Sequence, residues 1–427
     1  MTAKPSVIVV GAGVAGLSCA LHLTRRGIPV TVLEASERPG GRIKTDRVDG
    51  FLVDRGFQVL LEAYSEARAV LDMKALDLRP FESGAKIFTG GSSLATVADP
   101  RKRPGSALST LGTASLLDAL PAWRMESLLR SEHEDAPLER PETSARAHLT
   151  ARGFSKKLVD RFLVPFFGGV LLDRSLATSS RLLEYYWGFF SRGAACLPRL
   201  GMEEIPKQLA AALPPGTLRC GVRVAASDDR GVLLADGTRM DADAVVLATD
   251  MDECRRLADI GAVKDVGWRS TVMVAFDAPK SPIEGAWLVL DGTGSGPVNH
   301  VAVPSEVSPD YAPTGRSLVY ASSCDATEGD DASVDAVFRA QMRKWFGASV
   351  DTWRTIKVVR VRKALPARWP DDGSRPAVLP SHLAGRRFAA GDHLTTSSIN
   401  GALASGRRTA EEVAAATAPL ATARSAS

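Results

Sequence analysis

Aromatic residues are scarce, at 6% of 427 positions, so the core has to be built mainly from alanine, valine and leucine. Cysteine is scarce as well: Cys19, Cys196, Cys220, Cys254 and Cys324 are odd in number, widely spaced and free of any C-x-x-C pair. That pattern excludes a disulfide scaffold or a zinc-knuckle protein, fits a reducing compartment, and leads us to expect no metal site. Charge of one sign is lacking, since 53 Lys and Arg face 49 Asp and Glu, and a formal +4 argues against a nucleic-acid partner. No clean apolar run suits a membrane span or a signal peptide. The best candidate, Val7 to Leu23, is interrupted by Gly11, Gly13, Gly16, Ser18 and His22. A cytoplasmic protein is expected, with peripheral contact at the inner membrane face left open. The length suggests two or three domains, and 45% apolar with 24% charged residues is ordinary for a globular chain.

The strongest pattern lies at the start. Val7-Ile-Val-Val10 is a β-branched run of the kind buried on both faces of a parallel sheet. Gly11-Ala-Gly13-Val-Ala-Gly16 follows at once, and Leu17, Leu21 and Leu23 predict a helix up to Arg25-Arg26, with Gly27 as its left-handed stop. Val30 to Leu33 predicts the next strand, with Glu34 at its end. In such a unit Gly11 permits the tight turn, Gly13 lets a pyrophosphate approach the backbone, and Gly16 lets the helix lie close on the strand. The helix N-terminus offers N–H groups to the phosphates, and Glu34 is suited to accept hydrogen bonds from ribose hydroxyls.

Glu34-Ala-Ser-Glu-Arg-Pro-Gly40-Gly41-Arg42 adds two glycines and a cation just past that acid. This fingerprint followed by E-x-x-x-x-x-G-G-R resembles the N-terminal signature of the FAD enzymes that include amine oxidases, protoporphyrinogen oxidases and phytoene desaturases. The resemblance implies an α/β fold: a Rossmann-type, glutathione-reductase-like FAD-binding domain with an inserted α+β substrate domain and a helical cap. It also implies non-covalent FAD, with Gly40, Gly41 and Arg42 near the pyrophosphate.

Three later segments match the same family. Asp54 to Tyr64 resembles the stretch beneath the isoalloxazine ring, which implies flavin contacts at Gly56, Phe57 and Gln58. Leu218 to Thr249, with a hairpin signal at Asp236-Gly237, resembles the unit that returns to the FAD domain and implies that Val224 meets the adenine through its backbone. Gly391-Asp392, followed by Ser398-Ile-Asn400-Gly401, resembles the second FAD motif. Gly391 and Asp392 would then serve the ribityl chain, and a helix starting near Asn400 and Gly401 would stabilise negative charge on the ring.

Only one dinucleotide fingerprint is present. Asp291 to Gly296 is glycine-rich, but Pro297 follows and no helical pattern begins there, so it reads as a loop. Without a second nucleotide fold, electrons are expected to come from an organic substrate and to leave to oxygen or a quinone. The expected division is an FAD domain from residues 1–80, 205–261 and 361–417, and a substrate domain with its cap from 81–204 and 262–360. Strands are predicted at Ser270–Phe276, Ala286–Leu290, His300–Val303 and Leu318–Ser322. Arg130 to Arg140 reads as a mobile loop and 418–427 as a disordered tail.

Phe162 to Leu172 and Tyr185 to Phe190 concentrate bulky apolar groups in the cap, which fits either core packing or a tunnel for a lipophilic substrate. Resemblance there is closest to phytoene-desaturase-like members. Leu394-Thr-Thr-Ser-Ser-Ile399 lacks the aromatic pair of the amine-oxidase cage, and Trp268-Arg-Ser-Thr-Val272 lacks the lysine that many amine oxidases hold near the flavin. The leading expectation is hydride removal from an apolar small molecule, by C–C desaturation or a related dehydrogenation. The alternative is a soluble flavin amine oxidase giving imine and hydrogen peroxide. His393 beside Asp392 and His300 on a predicted strand are the candidate catalytic residues, each with a purely structural role as the competing reading.

Overall fold

Val7–Val10 is buried at every position because it lies in the middle of a six-stranded sheet, between parallel partners Val30–Glu34 and Ala244–Leu247. A strand covered on both faces needs apolar side chains on both, hence the unbroken β-branched run. The sheet continues to Leu218–Cys220 on one side and to Arg387–Ala389 and His382–Ala384 on the other. The computed structural model describes residues 6–91, 94–98, 116–258, 265–325, 328–371 and 376–425. Chain connections leave Val7–Val10 in opposite directions, so a crevice opens past the carboxyl ends of these strands. Helix α1 (Val14–Arg25) follows the glycine loop, and Gly27 at φ +72° ends it as predicted.

The second sheet has seven strands in the order Arg354–Pro366, Trp268–Ala278, Ser317–Ser323, Val298–Ala302, Leu288–Asp291, Gly84–Phe88, Leu94–Ala98. Each of the four strands predicted between residues 270 and 322 overlaps one of these. The expected boundary at residue 361 falls inside a strand. Arg354–Pro366 pairs along its whole length with Trp268–Ala278, from Asp277↔Arg354 to Trp268↔Pro366.

A helical lobe covers one face of this sheet: α2 (Ala119–Ser131), α3 (Val164–Leu171) and α4 (Ser180–Arg192). Before α3 the helix widens into a π turn over Val159–Leu163, since Pro165 has no N–H to offer the preceding turn. The predicted mobile loop from Arg130 to Arg140 is instead an ordered corner. The guanidinium of Arg140 pairs with Glu132 and with Glu184 of α4, and Leu138 is buried. Glu184 is itself buried, and His148 at 2.8 Å and Arg152 at 3.0 Å complete its partners, so the corner cannot loosen without stranding a carboxylate.

The last helix, α5 (Ile399–Ser425), lies on α1. Contact is close at Gly406, where a Cβ would stand 2.3 Å from the Ala15 carbonyl, and Ser18 donates to the Leu403 carbonyl at 2.9 Å. The expected tail from 418 is helical through Ser425, because its alanine-rich sequence favours helix; residues 426 and 427 lie outside the described part. No helix among the described residues is long and apolar enough to cross a membrane.

Asp54, at the end of the strand Phe51–Asp54, ties the two halves together. It accepts hydrogen bonds from the Thr45 hydroxyl at 2.5 Å, the Met202 N–H at 3.1 Å and the Tyr311 hydroxyl at 3.1 Å. Burial pushes its carboxyl from the ordinary 3.8 up to about 6, against the pull of those three donors. The folded chain therefore keeps a proton between about pH 4 and pH 6 that the unfolded chain has released. Stability falls as pH rises through that window, by about 3 kcal/mol in total. Asp54→Asn keeps the acceptor oxygen and cannot ionise. Urea unfolding at pH 4 and pH 7 is expected to show the wild type losing about 3 kcal/mol more than the variant across that interval. Parallel pH profiles would remove the account.

Candidate active site

Glu34 turns back on the glycine loop. Its Oε2 accepts the Ala12 N–H at 2.8 Å and its Oε1 accepts the Ser36 N–H at 2.9 Å and hydroxyl at 2.7 Å, which joins acid and loop into one unit and leaves Oε2 able to accept a further hydrogen bond. Gly11 and Gly16 are required by close approach. A Cβ on Gly11, at φ +105°, would stand 2.6 Å from the Ala248 carbonyl, and one on Gly16 would stand 2.0 Å from the Gly11 carbonyl. Gly13 differs: a Cβ there meets no atom within 4 Å. It faces open space at the N-terminus of α1, where backbone N–H groups and the helix dipole favour an anion.

The second glycine pair backs onto the first. Gly40 donates to the Ala12 carbonyl at 2.8 Å, and a Cβ on Gly41 would lie 3.3 Å from the Gly13 Cα. Arg42 is held by Asp392 at 2.6 Å and by the Ala364 carbonyl at 2.7 Å, with its guanidinium over the Trp268 ring. Asp392 is only 4% exposed, so this cation neutralises a buried carboxylate.

From this cradle a cavity of about 1830 Å³ runs into the space between the seven-stranded sheet and the helical lobe. Gly11, Gly13, Glu34, Gly40, Gly41, Arg42, Gly56, Phe57, Gln58, Val224, Gly391, Asp392 and His300 all line it. At the far end its wall is aromatic: Phe57, Phe81, Phe162, Phe166, Trp187 and Phe190. The Phe57 and Phe81 rings meet edge to face at 5.9 Å, and Phe166 meets Phe190 at 5.0 Å. Among the residues the sheet supplies are Val361, Thr271, Ser322, His300 and Leu288, which lie on five adjacent strands.

Four residues singled out in the sequence do not line the cavity. Gly16 sits behind the cradle as the helix-to-strand contact just described. Asn400 donates to the Tyr185 hydroxyl at 3.0 Å and accepts the Glu66 N–H at 3.0 Å. Gly401 packs so closely that a Cβ would lie 2.0 Å from the Thr396 carbonyl. These two aim α5, and Ser397 and Ser398 just before the helix, with Ile399 and Ala402 of its first turn, reach the cavity. His393 is buried in the short 3₁₀ turn Asp392–Leu394, where its carbonyl accepts from Arg368 at 3.1 Å. With three residues per turn, neighbours on a 3₁₀ helix point in different directions, so Asp392 reaches the cavity and His393 does not. Burial lowers both His300 and His393 to about 4, so both imidazoles are neutral at pH 7.

Sequence reasoning missed Thr271, Ser322 and Val361. Alternation along a strand sorts residues onto two faces but does not say which face meets a cavity. Lys363 also lines the site, with its ammonium held by Asp252 at 2.5 Å and Asp250 at 3.3 Å, which raises its pKa.

A family model described as flavin containing amine oxidoreductase matches residues 14–414. The chain belongs to this family. Among curated relatives, protoporphyrinogen oxidase 2, chloroplastic/mitochondrial, of Arabidopsis thaliana is 32% identical over 168 residues, covering 38% of this chain and 32% of that protein. Phytoene dehydrogenase of Streptomyces griseus is 28% identical over 285 residues, covering 59% of this chain and 55% of that one. The matches thus span about a third and about half of those relatives' lengths. A solved structure of putrescine oxidase bound to putrescine superposes with a TM-score of 0.72 at 19% identity, covering 97% of this chain and all of that one, a likeness of fold.

The cofactor is FAD, and the residues of this chain fit it. Gly13 leaves the room a pyrophosphate needs, and the buried Oε1 of Gln58 lines the cavity with no hydrogen-bond partner. Such an orphaned acceptor is the kind of group a bound heterocycle satisfies.

Proposed function

We propose that this protein removes a hydride from a lipophilic small molecule to bound FAD, by C–C desaturation, in which a neighbouring proton leaves to water, or by a related dehydrogenation. The observation that carries the reading is the aromatic wall of the cavity beyond the cradle. Burying apolar surface there stabilises a bound hydrocarbon by about 25 cal/mol per Å², and the edge-to-face rings suit a flat or extended skeleton. Bound FAD supplies the two-electron acceptor. We assign the ADP half of the cofactor to Gly11, Gly13, Glu34, Gly40, Gly41, Arg42 and Val224. The flavin half falls to Gly56, Phe57, Gln58, Gly391 and Asp392, with the first turn of α5 beside them. The attachment is non-covalent in this reading: Cys324, the last cysteine of the chain, bonds to the Gly168 carbonyl at 3.2 Å away from the cavity wall. The aromatic side chains exclude water, and of the two candidate histidines His300 is the one retained as a substrate-contacting group. Oxygen or a quinone takes the electrons afterwards.

A lipophilic substrate arrives most readily from a bilayer. Leu117, Leu120 and Trp123 are 82%, 50% and 59% exposed, and Trp123 stands at the cavity mouth. Lys156, next to Ser155, which bonds to Asp118, is exposed at this edge and shares the carboxylate of Asp160 with Arg146, a cluster of two cations and one anion. We read this edge as a peripheral contact with an anionic membrane surface on the cytoplasmic side.

Anaerobic mixing tests both points. The blue absorbance of the flavin is expected to bleach with an isoprenoid polyene, a terpenoid or a porphyrinogen, and faster when the compound is delivered in anionic vesicles than in detergent. A panel of amines is expected to leave it unchanged. Bleaching by an amine and by none of the lipophilic compounds would overturn the reading.

A further inference from the structure

Side-chain polar atoms buried in a folded protein are nearly always hydrogen-bonded. Four atoms on residues that line the cavity are not: Gln58 Oε1, Tyr186 Oη, His300 Nε2 and Ser322 Oγ. Gln58 belongs to the segment assigned to the flavin, and Tyr186 lies within the field of Asp392 and Arg368. His300 and Ser322 form a separate pair. They sit directly opposite each other on the antiparallel strands Val298–Ala302 and Ser317–Ser323, so their side chains leave the same face of the sheet about 5 Å apart at Cβ. They are 6% and 1% exposed.

The hydrogen-bond network decides which nitrogen of His300 carries the proton. The Asn299 amide nitrogen lies 3.2 Å from His300 Nδ1 and also donates to the Pro165 carbonyl at 2.8 Å. Nδ1 therefore accepts, and Nε2 carries the hydrogen. The pair offers the cavity one imidazole N–H and one hydroxyl. Its surroundings are apolar: the Phe57 ring lies 5.2 Å from the imidazole, Leu288 lies on the strand next to His300, and the buried Met273 sits directly opposite Ser322 on its other side. Leaving two polar groups unsatisfied in such a place is costly, and a ligand that satisfies them recovers that cost.

We propose that His300 Nε2–H and the Ser322 hydroxyl together hold the oxygen of a hydroxyl or carbonyl group on an otherwise apolar substrate. The ligand class is thus a lipophilic alcohol or ketone rather than a plain hydrocarbon. A carboxylate does not fit, because the neutral imidazole offers no charge to offset its desolvation. Asn299 is a positioning residue, acting through His300. The inference rests on the reading that a lipophilic compound occupies this cavity.

The test uses purified FAD-loaded protein and two probes, geranylgeraniol and the hydrocarbon of the same skeleton without the hydroxyl, with the shift of the flavin spectrum as readout. The alcohol is expected to bind at least about tenfold more tightly. Ser322→Ala and His300→Leu should each cut that preference to about threefold or less by weakening the alcohol's binding, and His300→Gln should restore most of it. Ser322→Ala should also unfold at the wild-type temperature or above, since its hydroxyl has no protein partner to lose. A fall in its unfolding temperature with unchanged probe preference would assign Ser322 to packing and overturn the proposal. Equal binding of both probes to the wild type would overturn it too and leave the lipophilic reading intact. No spectral response to either probe would remove that reading and this inference with it.

Discussion

Gly13→Asp protein is expected to fold normally and to be colourless. A Cβ at this position meets nothing within 4 Å, and Gly13 has φ −71°, a conformation open to any residue. Aspartate is moreover a favoured N-cap, so the apo helix α1 loses nothing and gains a cap. The same carboxylate would stand where the pyrophosphate must approach. Two like charges forced together cost several kcal/mol, which lowers FAD affinity by at least about 100-fold. FAD titration followed by fluorescence, beside a circular dichroism spectrum, checks both halves. Gly16→Val is the contrasting variant: with a Cβ 2.0 Å from the Gly11 carbonyl it should fail to fold rather than merely fail to bind. If Gly13→Asp purified yellow with wild-type FAD content, the cradle would lie elsewhere.

Arg42→Ala is expected to cost about 3–5 kcal/mol of stability, because it leaves the buried Asp392 carboxylate without its cation. Urea unfolding measures the loss. Asp392→Asn in the Arg42→Ala background should recover most of it, since the stranded charge is then gone, and the double-mutant cycle isolates that coupling. Additive effects of the two substitutions would mean that the pair seen at 2.6 Å carries no interaction energy.

The two histidines mark where sequence reasoning reached its limit. His393 adjoins Asp392, and proximity in sequence suggested proximity to the ring, yet one step along a 3₁₀ turn carries it away from the cavity. His300, read only as lying on a predicted strand, is the one that lines the wall. Asn400 and Gly401 were legible as a motif but not as supports: both spend their contacts on aiming α5. Arg130 to Arg140 looked mobile because its charges are dense, and only the buried Glu184 of another helix explains why it is held.

The nucleotide fold could be read from the chain alone, because every constraint on it is local. A β-branched run, glycines at fixed spacing, a helix stop and a terminal acid lie within the first 34 residues, and each acts on its immediate neighbours. The substrate wall could not be read that way. Leu288, His300, Ser322, Thr271 and Val361 share one face only through the register of five strands. Alternation assigns a residue to a side of its own strand, and long-range pairing alone decides which side looks into the cavity.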